Sequence, residues 1–214
     1  MSVSLHRTHI RSRPPGFTIL ELLIVMGIMG ILLAMTMAVG PGLLRSSAMS
    51  GSLSSVASTI SLARSEAIRS RKQTYFVLAP EASLDERSYA AYAVIRQEDA
   101  SGTNFRYLTP WKKLPTGVLF RPEAAATLNQ LPGTNIFPYP RENGSNQAMR
   151  IISFVSDGAL AEDSHPEGAK PVLPLQVGTR MAATEQPAYQ PLDYVITNQI
   201  TVDRLSGKVK VIRQ

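Results

Sequence analysis

Between Phe17 and Val39 the chain runs for 23 residues through "FTILELLIVMGIMGILLAMTMAV", with Glu21 as its only charged side chain. No other stretch restricts the fold so strongly. As an α-helix it would reach roughly 34 Å at 1.5 Å per residue, enough to cross a hydrocarbon core of about 30 Å. Gly40 and Pro41 interrupt the run. Arg7, Arg11 and Arg13 precede it, with no acid among the first 16 residues, and Arg45 is the nearest cation behind it. This asymmetry predicts a cytoplasmic N-terminus and an external bulk.

The remaining composition narrows the choices. The chain has 214 residues, enough for one domain of ordinary size plus an accessory segment. It contains no cysteine, which excludes disulfide frameworks and thiolate metal sites. Its formal charge is +6, from 22 basic and 16 acidic residues. Without the first 16 residues the count is 19 basic and 16 acidic, a mild excess that argues only weakly for an anionic partner.

A secretory signal has a shorter apolar region and small residues before its cleavage point, which this run lacks. A plain membrane anchor explains the length and the flanking charges. It does not explain Glu21, because a carboxylate within a membrane helix costs on the order of 2–3 kcal/mol even on mild insertion scales. Such a group needs a partner. A chain cut after Gly16 would begin with a free amine on Phe17, about one helical turn from Glu21. In an assembly that amine could belong to a neighbouring subunit, so that burial of the carboxylate is relieved on polymerisation.

"PPG" followed by "FTILELLIVMGIMGILL" resembles the class III signal of type IV pilins and of the pseudopilins of type II secretion. The resemblance implies cleavage after Gly16 by a prepilin peptidase, N-methylation of Phe17, and a subunit-assembly role for Glu21. One departure is visible. Family members often carry a kinking proline about two-thirds along the apolar run, whereas position 38 is Ala and the first proline is Pro41. The kink is displaced, or Gly27 and Gly30 supply the softness; two glycines three apart also suit close helix–helix contact.

Beyond Gly42 the chain reads "LLRSSAMSGSLSSVASTISLARSEAIRSRKQ", with Leu53, Val56, Ile60, Ala63 and Ala67 at spacings of three and four. That pattern predicts an amphipathic helix with a narrow apolar seam. Arg64, Arg69, Arg71 and Lys72 gather near its end, where cations suit the helix dipole. Residues 17 to about 72 thus read as one long helix, bent at Gly40-Pro41. The wording "ARSEAIR" at 63–69 resembles the stalk end of H-type minor pseudopilins and of FimT-like minor pilins.

From residue 74 the alternation is strand-like, at 74–79, 88–97, 106–111, 117–120, 149–158, 172–177, 193–203 and 207–214. The last two join through "DRLSGK" as a predicted hairpin. The "DG" turn in "ISFVSDGAL" and the turn in "ITVDRLSGKVKV" also resemble late strands of H-type heads. Proline-rich stretches at 110–140 and 164–191 read as surface loops. The expected fold is α+β and pilin-like: a leader at 1–16, a transmembrane assembly segment at 17–39, a periplasmic stalk at 40–73, and a β-rich head at 74–214 on an antiparallel sheet.

No catalytic constellation stands out. His165 is the only histidine beyond the leader, and Ser156-Asp157 reads as a turn before glycine rather than a nucleophile pair. A membrane-tethered hydrolase is therefore a remote alternative. Glu162, Asp163 and Glu167 cluster without calcium-loop spacing, so a solvated loop is preferred to a metal site. Lys208, Lys210 and Arg213 are read as alternating on the terminal strand, so that one face would present three cations; they are candidate phosphate or DNA contacts, weighed against a charged edge that blocks aggregation, which is favoured.

The resemblance implies a minor pseudopilin at or near the tip of the periplasmic pseudopilus of a type II secretion system, without cofactor. It would sit in the inner membrane through one helix, cytoplasmic N-terminus first. Its partners would be membrane lipid, other pseudopilins or pilins, the prepilin peptidase and the inner-membrane assembly platform. The alternative is a FimT-like minor pilin of a type IV pilus that binds DNA for uptake.

Overall fold

The computed structural model describes residues 18–80, 86–99, 101–121, 133–162, 171–180, 187–189 and 198–213; the side chains of 36–45, 180 and 187–189 lie outside that set. One helix, α1 (Ile19–Ser70), is followed by strands β1 (Thr74–Leu78), β2 (Ala91–Gln97), β3 (Phe105–Tyr107), β4 (Lys112–Lys113), β5 (Val118–Phe120), β6 (Gly133–Tyr139), β7 (Ser145–Phe154), β8 (Val172–Arg180), β9 (Pro187–Tyr189), β10 (Asn198–Val202) and β11 (Val209–Ile212). The class is α+β with antiparallel pairing throughout. The chain divides into two compact units, Met1–Leu43 and Leu44–Gln214.

Within the second unit the strands form two sheets rather than the single sheet expected. The first has the order β3-β2-β1-β7-β6, with β4 also on β2; the second has the order β11-β10-β8-β5, with β9 on β8. The predicted helical seam is fully used. Leu53, Val56, Ile60, Ala63 and Ala67 are each 1% exposed or less. They share one core with Phe76, Tyr92 and Phe154 of the first sheet and with Leu175, Ile200 and Val202 of the second. Both sheets thus bury an apolar face against the same helical stripe. The serine content of the helix is compatible with this burial because Ser52 and Thr59, both 1% exposed, donate to the carbonyls of Ala48 and Ser55 at 2.7 and 2.9 Å.

The first sheet has a second core on its other face, formed by Tyr75, Val77, Ala93, Ile95 and Ile151. Alternation along β1 explains the division: Phe76 and Leu78 face α1, and Tyr75 and Val77 face away. This sheet curls until its two edges meet. Phe105 of β3 and Phe137 of β6 lie at opposite ends of the strand order, yet their ring centroids are 4.8 Å apart, and Tyr75 of the central strand touches both. An aromatic seam therefore closes the edges without a backbone ladder.

Four readings change here. The stretch 133–139, read as a proline-rich loop, is strand β6; Pro138 is tolerated because β6 ends the strand order. The predicted strand 106–111 is two strands, 105–107 and 112–113, each paired with β2. The strand predicted at 149–158 begins at Ser145 and ends at Phe154, leaving 155–158 in the turn. A short strand, β9, lies inside the predicted loop 164–191. The helix ends at Ser70, and Arg71 takes a left-handed conformation at φ 53°, the usual stop for a helix. The predicted hairpin through "DRLSGK" is present as β10–β11. The anticipated bend at Gly40-Pro41 falls on residues whose side chains lie outside the described set.

Candidate functional site

The first helical turn has a local explanation in the sequence. Thr18 and Glu21 stand at the spacing of a capping box, and they form one. The Glu21 backbone N–H donates to the Thr18 hydroxyl at 3.2 Å. The Glu21 carboxylate accepts from the Thr18 backbone N–H at 3.0 Å and from its hydroxyl at 3.2 Å. Two donors that a helix N-terminus leaves open are thereby satisfied. The negative charge also lies where the helix dipole favours it. Sequence reasoning assigned Glu21 a role and counted the Thr18 hydroxyl only as part of the motif, although the Thr-x-x-Glu spacing of a cap was there to be read. Gly16 and Phe17 lie outside the described residues.

From Ile19 to Met35 the helix is apolar on every face except at Glu21, and its described side chains are exposed throughout. Thirteen large apolar side chains in this stretch are between 46% and 87% exposed. Burying each yields about 1.5–3 kcal/mol, so covering the stretch is worth on the order of tens of kcal/mol. That exceeds the cost of burying Glu21 by about tenfold. Gly27 and Gly30 have nothing within 4 Å of an added Cβ, so a close-approach surface is open there. Among the described residues no helix is long and apolar enough to cross a membrane. The described side chains of the apolar run stop at Met35, short of its predicted end at Val39.

The stretch "ARSEAIR" acquires a physical role for almost every residue. Ala63 and Ala67 are fully buried. Arg64 donates through Nε to the carbonyl of Gly158 at 3.3 Å. Glu66 grips Arg69 with two hydrogen bonds of 2.8 Å and also accepts from Arg96 of β2 at 2.7 Å. Arg96 bridges onward to Glu98 at 2.5 Å, and Glu98 reaches Lys72 at 2.7 Å. The chain of charges runs from the helix end to the end of β2. Glu66 and Arg96 are its covered members, with side chains 11% and 14% exposed. Sequence reasoning placed Arg69 and Lys72 near the helix end for the dipole and missed the carboxylates they serve.

Hydrogen bonding from Arg69 and then Arg96 holds the Glu66 carboxyl below its ordinary value, against the opposing effect of burial. Lys72 and Arg96 do the same for Glu98. Asp99 is also lowered, first by the Ser101 hydroxyl and then by that of Thr103. Depressed carboxyl values contribute stability above the unfolded-state value and lose it as pH falls through the folded one. The melting temperature of the head is therefore expected to hold steady down to about pH 5 and to fall below about pH 4. Glu66→Gln should cost about 1 kcal/mol at neutral pH and shallow the acid decline, because Glu98 and Asp99 carry the rest. Thermal melts followed by circular dichroism across that range check both statements.

The three cations proposed for the terminal strand do not share a face. Lys208 and Lys210 are exposed and stand at even spacing. Arg213 has the opposite parity, and with Val209 and Val211 it lines a cleft beside Leu53, Ala57 and Ser58 of α1. A three-cation stripe is thus replaced by a pair plus one arginine, also exposed, that borders the cleft beside the helix. Asp157 accepts from the Ala159 N–H at 2.8 Å and so closes the "SDG" turn. Glu162 lies 3.6 Å from Arg204. Asp163, His165 and Glu167 lie outside the described residues.

No curated protein and no solved structure matches the chain. Residues 11–37 match the family model of the prokaryotic N-terminal methylation motif, a span that contains Gly16, Phe17, Thr18 and Glu21. The match supports a type IV pilin-like or pseudopilin protein.

Proposed function

We propose that the chain is a structural subunit rather than a catalyst: a minor pseudopilin of a type II secretion system, placed at or near the pseudopilus tip. The observation that carries this reading is the pairing of a methylation motif with a helix left bare on all faces from Ile19 to Met35. Prepilin peptidase would cut after Gly16, and Phe17 would be methylated. The helix would first rest in the inner membrane, with the leader cytoplasmic and the head periplasmic. It would then transfer its apolar surface from lipid to neighbouring subunits, so that little hydrophobic burial is lost on extraction. Glu21 would neutralise the amine of an adjoining subunit, and the assembly platform would drive insertion. The resemblance of "ARSEAIR" to H-type stalk ends supports the minor-subunit class.

The alternative, a FimT-like minor pilin binding DNA through its terminal strand, has less support. Lys208 and Lys210 form an exposed pair, but Arg213 does not extend it. Intact-mass and N-terminal fragment analysis of the membrane-extracted protein tests the family reading. A chain starting at methylated Phe17 is expected when prepilin peptidase is active. An unprocessed Met1 start under the same conditions would overturn it.

A further inference from the structure

The seam that closes the first sheet has an outer side. There the β3–β4 connection faces the turn between β6 and β7 across an open groove of about 840 Å³. Tyr107, Pro110, Trp111 and Pro140 line it. The polar ends of both aromatic residues are already engaged. Trp111 Nε1 donates to the Pro140 carbonyl at 2.9 Å, and the Tyr107 hydroxyl donates to the Pro138 carbonyl at 2.6 Å. The rings are thereby held in place, 5.9 Å apart and inclined at 54°. Rings inclined in this way, bordered by prolines, form a slot of ridges rather than a flat platform.

Charge defines the rest of the site. Arg87, Lys113 and Arg141 line the same groove, against one carboxylate, Glu142. That carboxylate accepts the Tyr107 backbone N–H at 3.1 Å, which fixes its place at the edge of β3 while it keeps its charge. Lys113 meets Glu86 at 2.9 Å in a largely exposed pair, which a competing anion can replace at little cost.

We propose that this groove binds an extended, proline-containing acidic segment of another protein. A polyproline-type segment is already extended when free, leaves its backbone polar groups solvated, and docks on slots of Tyr, Trp and Pro. With Glu86 counted beside Lys113, three cations stand against two carboxylates, and acidic residues in the segment match that remaining positive charge, with Arg141 on the exposed turn as its main contact. Single-stranded nucleic acid fits less well, because it needs flat ring faces for stacking along a longer basic track.

Trp111 is the only tryptophan in the chain, so its emission reports on the groove alone. Full-length protein in detergent is titrated with a synthetic peptide of Glu-Pro-Pro repeats, with the same peptide carrying Gln for Glu, and with oligothymidylate. A saturable shift of Trp111 emission by the Glu peptide is expected, with weaker binding of the Gln peptide. Arg141→Glu changes an exposed turn residue and should weaken the Glu peptide at least about tenfold. With fluorescein on the peptide, Trp111→Ala should weaken it about thirtyfold, provided its melting curve shows a folded head. Three results would each overturn the proposal: no saturable shift with the Glu peptide, equal affinity for the Glu and Gln peptides, or preference for oligothymidylate.

Discussion

Gly207→Ala is expected to destabilise the head by about 3 kcal/mol or more, while Gly117→Ala costs only about 1 kcal/mol. Both glycines have left-handed backbone, at φ 61° and 90°, so both substitutions carry the same conformational penalty. They differ in surroundings. A methyl group on Gly117 meets nothing within 4 Å. One on Gly207 would overlap the carbonyl oxygen of Gly158 and come within 2.9 Å of the Arg64 side chain. Gly158, itself at φ 84°, packs under Ile68 of α1. The two turns therefore sit back to back beneath the helix, and Arg64 is hydrogen-bonded to the same carbonyl that the methyl would strike. Backbone cannot yield as a flexible side chain can. In melting experiments the gap should appear as a drop of about 10 °C for Gly207→Ala against about 3 °C for Gly117→Ala. Equal drops would remove the close packing of the two turns from the account.

The second large effect concerns Glu21. Glu21→Ala is expected to reduce incorporation into fibres by at least about a hundredfold. Two losses combine in that variant. The capping box disappears, which costs about 0.5–2 kcal/mol of helix stability. On the proposed role, the amine of the next subunit would also be left buried without its counter-charge, a loss of about 3–5 kcal/mol. The second term would be the larger. Alanine alone cannot apportion the two. Glutamine can, because it keeps the acceptor at the third helical position that closes the capping box and removes the charge.

How much of this could be read from the chain varied with the range of the interaction involved. The long helix, its seam from Leu53 to Ala67 and the β10–β11 hairpin all follow from local periodicity and turn residues, and all are present. Strand β6 was hidden because Pro138 argues against a strand unless its edge position is known, and edge position is a property of the assembled sheet. The split into two sheets has the same cause: alternation shows which side chains share a face, not which strands pair. In the site, Glu21 stood out because it is a charge among apolar residues. The capping role of Thr18 did not, since the motif's hydroxyl shows that role only through its hydrogen bonds. Glu66 pairs with Arg96 thirty positions away, a contact that no local pattern announces. The single cationic face expected of Lys208, Lys210 and Arg213 failed on simple parity, since 213 is odd and the other two even.

On the proposed role the carboxylate of Glu21 acts as a charge between subunits, beyond its place in its own helix cap. The most direct measurement is the amount of Glu21→Gln protein in fibres sheared from cells with an intact assembly machinery, compared with wild type and Glu21→Ala. The proposed role predicts that Glu21→Gln is correctly cleaved and membrane-bound, yet enters fibres no better than Glu21→Ala. Entry of Glu21→Gln at the wild-type level would show that the cap alone is needed, and would contradict the claim.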